Sequence, residues 1–193
     1  MKPHRRRDIR WRSLAAATVL TLSCASTFAQ AEYAPADVPE HPVVKFYPGA
    51  AIDDFDIKAF DAADMATGYD QASKAVTIET LEGKVSRYNY NHAEGQSALE
   101  IIRTYEAALR QAGFSTLIVA RVSELRGLEG PRERSYFGAF RADRDAEPPL
   151  YVNLEVDPNA GAPWSVVTIV EPKPMAQSLP ADAASRAAGL ARD

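Results

Sequence analysis

One segment limits the possible folds more than any other: Ser97-Ala-Leu-Glu-Ile-Ile-Arg-Thr-Tyr-Glu-Ala-Ala-Leu-Arg-Gln-Ala-Gly113. Ser97 and Glu100 stand at S-x-x-E spacing, in which each side chain accepts from a backbone N–H left free at a helix start. Gly113 tolerates the left-handed conformation that ends a helix. The pattern predicts a helix over 97–112. Leu99, Ile102, Tyr105, Ala108, Leu109 and Ala112 recur at helical spacing and form one apolar stripe, and Glu106 and Arg110 lie an i,i+4 step apart on the polar side. A helix with a single stripe must bury it, and the surrounding sequence offers a sheet to bury it against.

Strand signals dominate elsewhere. Val43–Tyr47 has strand composition and stops at Pro48-Gly49, a turn pair. Ala51–Phe60 suggests a strand with one exposed face. Val76, Ile78 and Thr80 alternate with Thr77 and Glu79, and Glu82-Gly83 separates them from Lys84–Asn91, which reads as a hairpin. In its second strand the pleat puts Ser86, Tyr88, Tyr90 and His92 on one face, and this tyrosine face is expected to meet the core. Ser115–Val122 is a β-branched apolar run suited to a central strand buried on both faces. Ser123–Arg134, with Gly127, Gly130 and Pro131, is a surface loop. Tyr136–Ala142 reads as strand or short helix. Leu150–Asp157 and Trp164–Val170, joined by Pro158–Gly161, form the strongest hairpin. The expected class is α+β: a largely antiparallel sheet packed against one main amphipathic helix.

The N-terminus has a different character. Residues 1–31 carry six of the 22 basic residues but a single acid, Asp8. The 12-residue apolar stretch Leu14–Ala25 follows the basic run, and Ala29-Gln30-Ala31 has the small-x-small form of a cleavage site. This predicts a cleavable signal peptide over 1–31 and a periplasmic or secreted protein. The stretch is too short to cross a bilayer as a helix, which takes about 20 residues, and the mature chain has no apolar run of that length. A retained anchor and a lipoprotein linked through Cys24 are less favoured alternatives; Thr21 and Leu22 fit a lipidation box poorly. With Cys24 removed, no thiol is left for a disulfide or a nucleophile. Residues 32–42, with three prolines, read as an extended leader, folding begins at Val43, and a single domain fills 43–171. The Pro/Ala-rich 172–193 is a tail, weakly helical or disordered. Removing residues 1–31 leaves 16 basic against 25 acidic residues, so nucleic acid is a poor candidate partner.

Motifs that carry chemistry are absent. His41 and His92 belong to no metal-ligand spacing. There is no G-x-S-x-G elbow, no S-x-x-K pair and no phosphate-binding glycine loop. Asp53, Asp54, Asp56, Asp61 and Asp64 lack the glycine and glutamate of a calcium loop and read as a charged strand edge. No catalytic residue, metal or cofactor is assigned. Two groups are candidates for binding. Arg121, Arg126, Arg132 and Arg134, in and beside the 123–134 loop, suit partner recognition, and replacing Arg126, Arg132 and Arg134 by Ala is expected to weaken capture with little effect on melting. Tyr88, Tyr90, Tyr136, Phe140 and Trp164 are candidates to line an aromatic pocket, although a domain of this size also needs aromatics in its core.

The order His41-Pro-Val-Val-Lys-Phe-Tyr-Pro-Gly-Ala50, Leu81–Val85, Leu99–Leu109, Ala112-Gly-Phe114 and Val170-Glu-Pro-Lys-Pro-Met175 resembles the N-terminal module of a group of bacterial OmpA-like envelope proteins. In that group the module precedes a C-terminal peptidoglycan-binding domain; this sequence ends at Asp193, so peptidoglycan binding is not carried over. Many members have two cysteines in the loop corresponding to Ser123–Arg134, where this chain has none. The resemblance, the export signal and the missing catalytic motifs together imply a non-enzymatic envelope accessory module that binds another envelope component through its sheet or the 123–134 loop. The alternative is a small-molecule or lipid carrier with an aromatic-lined cavity.

Overall fold

A computed structural model describes residues 33–159 and 161–176. The expected signal peptide and most of the expected tail lie outside these residues. Six strands, β1 (Ala51–Asp70), β2 (Ala75–Asn91), β3 (Ser115–Arg121), β4 (Tyr136–Ala142), β5 (Leu150–Asp157) and β6 (Trp164–Pro172), form one antiparallel sheet in the order β1-β2-β6-β5-β4-β3. One α-helix, α1 (Ala98–Gln111), packs on it, giving the α+β architecture expected from the sequence. The Ser97 hydroxyl caps it by accepting from the Glu100 N–H at 3.0 Å. Its buried stripe is Ala98, Ile101, Ile102, Tyr105 and Leu109; Leu99, expected inside, is 46% exposed. Ala108 and Ala112, also expected inside, are exposed as well, and Ala98 and Ile101 are buried in their place. Glu106 pairs with Arg103 one turn earlier rather than with Arg110.

The helix face of the sheet carries the main core. Tyr88, Tyr90, Phe140, Val152, Leu154, Val156, Val167 and Ile169 pack there under α1. Ser86, Tyr88, Tyr90 and His92 are all buried, so the tyrosine face of β2 does meet the core. Two strand readings change. β2 is continuous through Glu82-Gly83, and its hairpin partner is the whole of β1, turned at residues 71–74 where Lys74 takes a φ of 59°. Gly83 is required by proximity: a Cβ there would lie 2.1 Å from the Glu171 carbonyl oxygen of β6. β3, expected at the sheet centre, is an edge strand bonded only to β4; its partly covered faces come from α1 on one side and the far end of β1 on the other. Tyr136–Ala142 is strand, and the β5–β6 hairpin forms as expected.

Val43–Tyr47 is not a strand. It belongs to an irregular segment, residues 38–48, in which Val38, His41, Val44 and Tyr47 are buried against the helix-face core. Burial therefore begins within the expected leader, ahead of Val43.

The sheet also curls. The register of β1 on β2 shifts at three places, and bulges of this kind bend a strand. The bend carries the far half of β1 over the other sheet face, where the Ala66 N–H donates to Asn153 Oδ1 on β5 at 3.3 Å. The hairpin tip then meets the segment that follows β3: the Val76 N–H donates to the Arg126 carbonyl and the Arg126 N–H to the Lys74 carbonyl, both at 2.9 Å. A second apolar cluster of Ala66, Val76, Ile118, Val122, Phe137 and Ala139 fills the fold so made.

Candidate functional site

The curl creates a cleft on the sheet face opposite α1. Its floor follows from strand register. Arg87 on β2 stands beside Thr168 on β6, which stands beside Asn153 on β5, so three polar side chains form one row across the sheet. The next row is Val166, Glu155 and Phe137. Asp64 and Ile78 of the β1–β2 hairpin form one wall, and Gly127, Leu128, Glu129 and Pro131 of the 123–134 loop form the other, around a volume of about 480 Å³.

The floor and the hairpin wall are partly preorganised. Arg87 Nε donates to Thr168 Oγ1 at 3.5 Å, and the Thr80 hydroxyl donates to Asp64 Oδ1 at 2.6 Å. Burial pushes the Glu155 carboxyl above its ordinary range, against hydrogen bonds from the Arg132 backbone N–H and the Ser135 hydroxyl. Donors, acceptors and both signs of charge therefore line the cleft beside apolar Ile78, Leu128 and Val166, a mixture suited to holding a partly polar group.

The four arginines expected to recognise a partner do not line it. Arg132 Nη1 donates to Asp157 Oδ2 at 3.2 Å, and Arg134 Nη2 stands 3.1 Å from Oδ1, off the line of a hydrogen bond; Asp157 itself is wholly buried. These two arginines stand against a buried carboxylate, so their loss is expected to lower the melting temperature. Arg121 lies over the Tyr136 ring at 4.8 Å, and Arg132 over Trp164 at 5.8 Å. Arg126 contributes its backbone to the hairpin contact, and its side chain is exposed. Of the candidate aromatics, Tyr88, Tyr90 and Phe140 are core residues with at most 2% exposure, Tyr136 packs at the core's edge, and Trp164 is half-buried at the start of β6. They share no described cavity.

Arg87, Asn153, Glu155 and Thr168 escaped sequence reading. Their signal was present in the alternation of β2, β5 and β6, where each occupies the face opposite the core residues. What turns that face into a site is the crossing of β1, which depends on bulges.

Among the described residues one Ser–His contact occurs: His92 Nε2 and Ser165 Oγ are 2.8 Å apart. Both residues are buried, at 4% and 0% exposure, so the hydroxyl has no access to a substrate. Among the described residues no three His, Cys, Asp or Glu side chains gather as metal ligands, and no helix is long and apolar enough to cross a membrane. No family model and no curated protein matches the sequence.

Proposed function

We propose that this protein is an exported, non-enzymatic accessory module of the cell envelope that binds another envelope component, and that the cleft between the curled sheet and the 123–134 loop is its recognition site. Export rests on the basic-then-apolar N-terminus and its small-x-small end. The envelope setting rests on that signal and on the resemblance of most of residues 41–193 to the OmpA-associated module. The observation that carries the binding reading is the cleft itself: the sheet and the loop, each a candidate surface from sequence, form opposite sides of one cavity with a row of polar side chains on its floor.

The test compares two charge reversals on opposite sides of the molecule in cells that export the protein. Arg87→Glu alters the cleft floor, whereas Arg110→Glu alters the exposed face of α1. Chemical crosslinking in intact cells is expected to give a discrete adduct that Arg87→Glu reduces at least tenfold and Arg110→Glu leaves intact. Equal yields from the two variants would overturn the cleft as the site.

A further inference from the structure

We propose that residues 38–48 are a strap released by acid, latched at its start by His41 and at its end by His92. Among the described residues, no backbone group of this segment hydrogen-bonds to the backbone of the sheet. It is held by side chains: Val38, Val44 and Tyr47 in the core, and the Tyr88 hydroxyl donating to the Pro39 carbonyl at 2.8 Å. A strap without ladder bonds can leave while the sheet stays intact.

The His41 latch needs a neutral imidazole, and the His92 ring is buried against Tyr47 with no acceptor on its Nδ1. His41 Nδ1 accepts from the Val44 N–H at 3.1 Å and the Val43 N–H at 3.3 Å, so a proton on that nitrogen would set donor against donor. The charged groups around this ring are Glu171 of β6, whose Oε1 lies 3.4 Å from Nε2, Lys84 of β2 and Arg144, which share that carboxylate, and Lys45 of the strap. Burial lowers the His41 pKa; Glu171 opposes that fall, and Lys84 and Lys45 add to it. At the other end the Tyr47 ring stands edge-on to His92 with centroids 4.7 Å apart, Tyr90 lies beside it and Ser165 takes Nε2. Burial lowers the His92 pKa to about 4, and its Nδ1 has no hydrogen-bond partner.

The direction of the pH effect follows. Once the strap lifts, both rings regain an ordinary pKa near 6.5, so the open state binds protons that the closed state refuses. Below that pH each histidine raises the opening equilibrium by up to about tenfold per pH unit, until its closed-state pKa is reached. Opening uncovers Tyr88, Tyr90 and Tyr105 and dissolves the apolar groove of about 400 Å³ that the strap shares with α1.

Amide exchange measured on the purified protein from pH 7 to 4, corrected for intrinsic rates, tests this. The Val43 and Val44 amides are expected to lose protection steeply below pH 6.5 while the paired amides of β5 and β6 keep theirs. His41→Asn, which retains an acceptor for the N–H two residues on and does not titrate, is expected to halve the steepness. Strap protection that persists to pH 4, disappears together with the sheet, or is indifferent to His41→Asn overturns the proposal. Ring nitrogen shifts of the unsubstituted protein give a second reading that needs no variant: an unprotonated Nδ1 on His41 and titration of both rings below 6.5 support the latch, and titration of either above 6.5 overturns it.

Discussion

A carboxylate with no exposed surface has to be neutralised by its neighbours, and at Asp157 that work falls to Arg132, Arg134 and the Ser135 hydroxyl. Removing both guanidiniums strands the charge. Arg132→Ala with Arg134→Ala is therefore expected to cost about 3 kcal/mol, the lower end for a broken buried pair because the arginines themselves are more than half exposed. Adding Asp157→Asn should recover most of that loss, since an amide needs no counter-charge. Urea denaturation of the three proteins checks it; a double variant as stable as the parent would mean that Asp157 is neutralised some other way. None of this was legible in sequence. The loop shows four arginines and three glutamates in and around it, which reads as a solvated surface, and the partner that matters lies 23 to 25 residues further along the chain. The buried histidines were equally hidden: a loop histidine and a core histidine look alike until something covers them.

At the scale of elements, local rules worked wherever the determinant was itself local. The helix carries its cap and stop within 17 residues, and the structure keeps both; Ser97→Ala is expected to cost about 1 kcal/mol. The stripe is set by how the helix sits on the sheet: Leu99, Ala108 and Ala112 face out, and Ala98 and Ile101 face in beside Ile102, Tyr105 and Leu109. Leu99→Ala is accordingly expected to be near neutral, whereas Ile101→Ala should cost about 2–5 kcal/mol, and thermal melts of the two separate the readings. Glu82-Gly83 misled for a physical reason. Glycine marks turns and also close backbone approaches, and here it is the latter, since β6 passes directly against it. Gly83→Ala is expected to destabilise by about 1–3 kcal/mol through the β2–β6 pairing, with increased exchange at Glu171 and Pro172-adjacent amides.

The whole molecule is decided by contacts far apart in sequence. The alternation of β2, β5 and β6 announces two distinct faces, and the core face was identified by its tyrosines. The second face becomes a cleft only because β1 bends across it and its tip is bonded to the segment after β3. Gly127 is central to that closure: its φ is 77°, and a Cβ would come within 3.0 Å of the Val76 carbonyl oxygen. Gly127→Ala is expected to loosen the wall and weaken binding at the cleft while leaving the helix-face core intact, so that near-UV tyrosine dichroism stays native as crosslinking falls.

The recognition role of the cleft is tested most directly by placing a photo-reactive amino acid at one position at a time in exporting cells: at Ile78 and Leu128 on its two walls, and at exposed Leu99 on the helix side. The same discrete adduct from Ile78 and Leu128, absent from Leu99, is the predicted result. An adduct formed from Leu99 while both cleft positions stay silent would contradict it.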